Sequence, residues 1–366
     1  MPKYGNKITM DVYGESHGEC VGVVISGLPF GIKIDLDSLQ AHTDRRKATN
    51  SSYSTKRIEP DKIVIKDGLS ENGTVEKDKI ELIVYNTAYR KNDYSNLSFT
   101  PRPSHADYPA MVKYGDKVSL SGGGKYSGRL TLPICIAGGI AEQILTQKGI
   151  FICSYLSEVA GIKGASYKDK IPTIQELSNA KANPFYFFKD NIEAVEKRFE
   201  EARLSRDSLG GIIETVIYGL PVGVGDSLFD GVESAISNAV FAIPAVKGVE
   251  FGIGFDFALL KGSTANDCYY YDNGMVKTHT NNNGGIVGGM TNGMPITLRT
   301  VVKPTPSIGI EQKTIDLRAK TNTTITINGR HDVCIAPRAA APIESAVAFA
   351  LLDIIMQEDA KGDTNE

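Results

Sequence analysis

His17, His105 and His331 each stand in a short segment with a hydroxyl or ionisable neighbour within two positions, and these segments hold most of the chemistry available to the chain. Gly14-Glu15-Ser16-His17-Gly18 has the G-x-S-x-G pattern of a nucleophile elbow, which would make Ser16 the nucleophile of a serine hydrolase. An elbow needs a strand before the serine and a helix directly after it. Residues 7–12 suit the strand, but residues 21–26 read as a second strand, followed by the turn Gly27-Leu28-Pro29. The helix is missing, and a turn with a hydrogen-bonded His17 is the plainer reading. In Pro101-Arg102-Pro103-Ser104-His105-Ala106-Asp107-Tyr108 two prolines stiffen the backbone and present Arg102 and His105 on a rigid loop. An arginine beside a histidine suits a site that binds an anion and moves a proton; a rigid surface loop is the alternative.

Gly122-Gly123-Gly124-Lys125-Tyr126-Ser127-Gly128-Arg129 leads into a helix. Its glycines free backbone N–H groups, the helix N-terminus adds partial positive charge, and Lys125, Ser127 and Arg129 add donors, so it reads as an anion cradle. The spacing and the ending of a Walker A loop are absent. Lys303-Pro304-Thr305-Pro306-Ser307 and Gly329-Arg330-His331-Asp332 each come after a strand; either could hold an anion, and Asp332 could accept a proton, although each taken singly reads as a solvated turn. Together Arg45, Arg46, Arg102, Lys125, Arg129, Lys303, Arg330 and Arg338 suit a polyanionic ligand. His42 and His279 lie in polar stretches and read as surface residues.

A formal net charge of −3 gives no support to a nucleic-acid partner, so any anion must be met by such local clusters. Cys20, Cys135, Cys153, Cys268 and Cys334 are scattered and form no CxxC, which argues against a zinc site or a disulfide framework and fits a reducing compartment. The first ten residues carry no apolar signal core, and no run of 18 apolar residues suggests a membrane span, so a cytoplasmic location is expected.

The elements that must position these groups are of mixed type. Residues 21–26, 62–65, 212–218, 295–302 and 323–327 are rich in β-branched residues and read as strands. Residues 130–148, 191–203, 231–243 and 342–357 read as helices, with Asp190 as N-cap of the second and Pro342 near the start of the last. Strands and helices do not alternate strictly, which favours antiparallel or mixed sheets with packed helices over a doubly wound parallel sheet. The polar stretch 44–61 reads as a functional loop. One domain over 1–357 is expected, with a frayed polar tail at 358–366.

Taken together the segments resemble the chorismate synthase family, nearly end to end. GESHG at 14–18, PRPSHADY and the KYG after it within 101–115, GGGKYSGR at 122–129 and GRHD at 329–332 carry the likeness, supported by RIEPD at 57–61, DSLGG at 207–211, GLPVGVGD at 219–226, IPAVKGVEFGIGF at 243–255, NNNGGIVGGMTNG at 281–293 and KPTPS at 303–307. The resemblance implies an α+β fold, a β-α-β sandwich with antiparallel or mixed sheets inside and helices outside, assembled as a homotetramer. It implies 1,4-anti elimination of phosphate from 5-enolpyruvylshikimate-3-phosphate, requiring reduced FMN without net redox change. Residue by residue, His17 matches a histidine that protonates the leaving phosphate, and His105 one that protonates reduced flavin. Asp332, with Ser16 and Ser127, matches a group that tunes flavin N5 for removal of the C6 hydrogen. Lys125, Tyr126, Ser127, Asn238, Ala239, Gly288, Lys303, Pro304, Thr305, Pro306, Ser307 and Arg330 match FMN contacts. Arg46 matches an NADP or substrate contact, and Arg45, Arg129 and Arg338 are grouped with it as anion ligands.

The chain departs from the family pattern in four places. Lys125-Tyr126 replaces Arg-Ser, Ser104 replaces Gly, Ala48-Thr49 replaces Pro-Gly, and Ser52 replaces an Arg. Ser52 cannot supply the charge that would help hold a nicotinamide nucleotide, and no complete G-x-G-x-x-G comes after a strand. A separate flavin reductase is therefore expected to supply the reduced flavin. The remaining alternatives are the Ser16 hydrolase and a non-catalytic flavin-binding protein.

Overall fold

Period-two burial in the first ninety residues builds the first sheet. In the computed structural model, which describes residues 2–48, 53–54, 59–87, 99–115, 121–327 and 332–362, it comprises β1 (Lys3–Tyr4), β2 (Thr9–Gly14), β3 (Cys20–Ser26), β4 (Val64–Asp67) and β5 (Lys79–Tyr85). All neighbours are antiparallel, in the order β1-β2-β3-β5-β4. The register aligns Val12, Val23 and Leu82 in one row and Met10, Ile25 and Ile80 in the next, all buried on one face. A one-residue slip would turn that set to the other face. Between β3 and β4, α1 (Leu36–Asp44) starts where the Asp35 side chain accepts from the Ser38 backbone N–H at 3.0 Å.

Next come α2 (Asp107–Tyr114), α3 (Thr131–Gln147), β6 (Phe151–Val159), β7 (Ile162–Lys163), α4 (Ile174–Ala182), α5 (Ile192–Ser205), β8 (Gly211–Tyr218), α6 (Val232–Phe241) and β9 (Val246–Phe251). After them come α7 (Gly262–Ala265), β10 (Tyr269–Asp272), β11 (Met275–Thr278), β12 (Ile286–Val287), β13 (Met290–Thr291), β14 (Ile296–Val302), β15 (Gln312–Asp316), β16 (Thr321–Ile325) and α8 (Ala336–Gly362). The second sheet is antiparallel, in the order β7-β6-β8-β14-β9. On β6, Ile152 and Leu156 face the main core, while Cys153 and Tyr155 face a smaller cluster with Leu177 of α4.

This is the α+β class and the β-α-β layering the sequence suggests, except that two helices expected outside the sheets are found inside. The helices α3 and α8 lie between the sheets. α3 packs on β2, β3 and β5, α8 packs on β6 and β8, and the two helices pack on each other. The physical reason lies in their composition: every residue of α3 from Thr131 to Ala141 is buried, and a helix apolar all round needs cover on all sides. α8 is long and apolar enough to cross a membrane, but 94% of its most apolar window is buried, as befits a core helix. The two backbones meet at Gly138, where a Cβ would sit 2.3 Å from the Ser345 Cα, so only glycine fits there.

Three local expectations also change. The α5 cap position is Asn191 rather than Asp190, and it makes no side-chain cap bond. α8 begins six residues before Pro342, which therefore lies inside the helix, and it runs on to Gly362 through part of the stretch expected to fray.

Candidate active site

The cavity lies where the loops around both sheets meet the starts of α3 and α8. It has a volume of about 710 Å³, within the usual range for small-molecule sites. Ser16, Arg46, Arg102, His105, Lys125, Tyr126, Ser127, Arg129, Lys303, Thr305, Pro306, Ser307, Asp332 and Arg338 all line it, so it gathers most of the residues singled out from the sequence.

The turn that carries Ser16 is held by a chain of polar contacts. Asn86, at the end of β5, donates from Nδ2 to the carbonyls of Glu15 at 3.0 Å and Gly18 at 2.8 Å. Its Oδ1 accepts from Arg129 Nε at 2.9 Å. Arg129 Nη1 in turn pairs with Asp61, and Nη2 lies 3.1 Å from Glu59 without the alignment of a hydrogen bond. Arg129 is buried and lines the cavity; its Nε and Nη1 are committed to Asn86 and Asp61 and brace the turn, while Nη2 has no hydrogen-bond partner. The Ser16 backbone N–H reaches the Gly124 carbonyl at 3.5 Å, which joins the first motif to the glycine-rich one. Beyond this turn the chain enters β3 and not a helix, and Ser16 is 1% exposed, so no nucleophile elbow forms.

His105 stands on the proline-stiffened loop before α2. Its Nδ1 is 2.6 Å from Asp107 Oδ1, and its Nε2 faces Gly123, where the φ of +91° is what calls for glycine. Ser104, just before it, has φ +58°. That left-handed conformation costs an L-residue about 1–2 kcal/mol, which gives a physical reason for glycine as the usual family residue. Ser104→Gly is expected to raise the urea midpoint by an amount equivalent to at most about 1 kcal/mol, because glycine's extra chain entropy offsets part of the relief. A lower midpoint would show that a contact of the serine side chain outweighs the strain.

The electrostatics favour anions. Among the described residues, eight Arg and Lys side chains line the cavity (Arg46, Lys47, Arg102, Lys125, Arg129, Lys247, Lys303 and Arg338) against three carboxylates, Glu59, Asp61 and Asp332. Burial pushes the Arg46 guanidinium down to about 10 against the pull of Asp61, which is 3.6 Å away. Its Nε is buried without a hydrogen-bond partner, as is the Nε of Arg338. Arg338 Nη2 donates to both oxygens of Asp332 at 2.7 Å. Burial and the neighbouring Lys247 lower the pKa of Lys303, which donates to the Ser104 carbonyl at 2.7 Å. Lys125 sits 3.8 Å above the Tyr114 ring.

Other expected residues lie elsewhere. Arg45 turns away from its neighbour Arg46 and pairs with buried Glu344, which also meets Lys181. His42 is not on the surface: its Nδ1 is 3.0 Å from Glu142 and its Nε2 is 2.8 Å from Ser345. His42, Glu142 and Glu344 are spaced as metal ligands are, but Lys181 and Arg45 already neutralise these carboxylates. His279 is exposed and stacks on Tyr270. His17 is half-buried beside Ser16 and is not among the lining residues. Neither is Pro304, which packs against Gly210. Asn238 is exposed and Ala239 buried on α6, just before Phe241 reaches the cavity, and Gly288 is exposed in the β12–β13 turn. Arg330, His331, Thr49 and Ser52 fall outside the described residues. Sequence reasoning misses Asn86, Asp61 and Lys247. Asn86 carries no motif chemistry of its own, while Asp61 and Lys247 lie inside the family-like pieces at 57–61 and 243–255, whose residues are not singled out one by one.

Comparisons with known proteins give the family and the fold. The model of a family described as chorismate synthase matches residues 8–356. A chorismate synthase of Thermococcus gammatolerans is 40% identical over 357 residues, covering 97% of this chain and 98% of the relative. One from Dehalococcoides mccartyi is 39% identical over 355 residues, covering 96% of each. A crystal structure of a chorismate synthase aligns with TM-score 0.75 over 97% of this chain and 93% of its own, and at 23% identity it speaks for the fold.

Proposed function

Because this chain belongs to the chorismate synthase family, whose members are lyases, we propose that its cavity performs the 1,4-anti elimination of phosphate from 5-enolpyruvylshikimate-3-phosphate with reduced FMN. The observation that carries this reading is the eight-to-three excess of cations over carboxylates around one cavity in a chain of net charge −3. The substrate bears a phosphate and two carboxylates, and FMN adds a further phosphate.

The residues present fit such a group. The partnerless Nε atoms of Arg46 and Arg338 and the mutual repulsion of Lys247 and Lys303 are features that a bound anion would relieve. Lys125, Tyr126, Ser127, Lys303 and Thr305 to Ser307 would hold FMN. Reduced FMN, when bound, supplies electron density that eases C–O cleavage and a nitrogen base for the C6 hydrogen, with no net redox change. Arg46 and Arg338 orient the anionic groups and offset charge on the departing phosphate. His105 moves a proton at Nε2. Asp332, kept in place by Arg338, offers its carboxylate to the cavity that Ser16 and Ser127 also line. His17, one residue from the lining Ser16, would protonate the phosphate. Self-association as a homotetramer is supported by Phe229, Phe255, Leu259 and Tyr271, each at least 80% exposed, and is tested by sedimentation. A cytoplasmic location is in keeping with cysteines that are all free.

The test is anaerobic. Enzyme, substrate and dithionite-reduced FMN are expected to give phosphate and chorismate, and no release at high enzyme concentration would sink the reading. With NADPH and oxidised FMN but no other reductant, no chorismate is expected until a separate flavin reductase is added. Sustained turnover on NADPH alone would overturn that dependence and leave the lyase standing. A fluorophosphonate is expected to leave Ser16 unlabelled, whereas a Ser16 hydrolase would be labelled.

A further inference from the structure

Asp107 is buried at 0% exposure at the start of α2 and is surrounded by donors. Its Oδ2 accepts from the Arg102 backbone N–H at 3.0 Å and from Arg102 Nε at 2.7 Å. Its Oδ1 accepts from Arg102 Nη2 at 2.8 Å and lies 2.6 Å from His105 Nδ1. Burial raises the pKa of the Asp107 carboxyl, but the hydrogen bonds and charge of Arg102 and His105 outweigh it and hold the group well below the usual carboxylate range. It is therefore a carboxylate at neutral pH, with no proton to give.

That settles the state of His105 Nδ1. An unprotonated Nδ1 would set a lone pair against a carboxylate oxygen at 2.6 Å, and only a proton between them makes the contact attractive. Arg102 Nη2 is also close to Nδ1, at 3.1 Å, but it already donates to Asp107. In neutral imidazole the other nitrogen then carries the lone pair. Nε2 lies 3.6 Å from where a Cβ on Gly123 would sit, and His105 lines the cavity.

We propose that Asp107 is the positioning residue of this site: it locks His105 in the Nδ1–H tautomer, so that Nε2 is the atom that takes up and delivers protons in the cavity. Arg102 completes the device by fixing the carboxylate through its fork, and it anchors the loop to the opposite wall through Ser307 Oγ at 3.2 Å. The same logic places an aspartate behind the histidine of serine-protease triads. Its bearing on turnover rests on the reading of His105 as the proton-transfer group, but the tautomer does not.

The experiment labels the histidines of the full chain with ¹⁵N and reads the His105 ring at about pH 8.5, above the ordinary imidazole range. Loss of the signal in His105→Gln identifies it. In the wild-type protein the proton is expected on Nδ1, and a proton on Nε2 would overturn the proposal. In Asp107→Asn the side-chain amide can donate to Nδ1, so the proton is expected to move to Nε2. kcat is then expected to fall by about 10–10³-fold with KM changed less than about threefold, as for loss of an orienting partner. A folded Asp107→Asn variant that keeps the Nδ1 proton and its kcat would also overturn it. If that variant fails to fold, the wild-type measurement still decides. The ring signal needs neither substrate nor flavin, so failure of the lyase reading would not be mistaken for failure of this one.

Discussion

Replacing His105 with alanine is expected to lower chorismate formation by about 10²–10⁴-fold, the usual contribution of a positioned acid–base group. The fold should survive. The imidazole is only one of four donors around Asp107, and the remaining three, all from Arg102, keep that buried carboxylate paired. The variant should therefore keep its urea midpoint while losing kcat. His17→Ala is expected to lose a similar factor, and its turn is held through the backbone carbonyls of Glu15 and Gly18 as well. A loss below about threefold in both variants would remove the two histidines from proton transfer, since positioned groups contribute far more.

The second large effect is on stability. Asp61 is 3% exposed and faces two buried guanidiniums, pairing with Arg129 and lying 3.6 Å from Arg46. Asp61→Ala would leave both cations in the interior with Glu59 as the nearby carboxylate. Removing one partner of a buried ion pair typically costs about 3–5 kcal/mol, a large share of the roughly 5–15 kcal/mol that holds a domain together. A sharply lower urea midpoint is expected, together with weaker phosphoester binding, because Arg129 would no longer steady Asn86 and the Ser16 turn. A midpoint change equivalent to less than about 1 kcal/mol would show that Asp61 is not the charge partner on which these arginines depend.

Much of the site is legible in the sequence because its chemistry is local. The proline-stiffened His105 loop, the glycine turn before α3 and the Lys303 to Ser307 stretch each declare themselves by residue type, and the cavity brings them together. The illegible part depends on direction. Arg45 and Arg46 are neighbours at the end of α1, yet one reaches Glu344 and the other the cavity, and charge alone cannot tell them apart. His42 has a polar sequence context but faces α3 and α8 across a helix interface. Asn86 ends an ordinary strand, and only the folded turn gives its side chain two carbonyls to hold. The inner position of α3 has a visible cause in its unbroken apolar run, a composition that an outer helix with one solvated face does not have.

The middle position of α8 governs how this chain is made. Asp353, late in that helix, accepts the backbone N–H groups of Asn6 at 2.9 Å, Lys7 at 2.7 Å and Ile8 at 3.0 Å, just before β2. The first strands to leave a ribosome gain α3 as cover, but the far side of α3 must wait, bare and greasy, for α8 to arrive and fill the gap between the sheets. Contacts so distant along the chain slow folding and lengthen the time during which sticky surface is open to other molecules. Nascent copies of this protein should thus depend on holding chaperones until synthesis reaches α8, and a ribosome stalled before that helix would carry a chain unable to close.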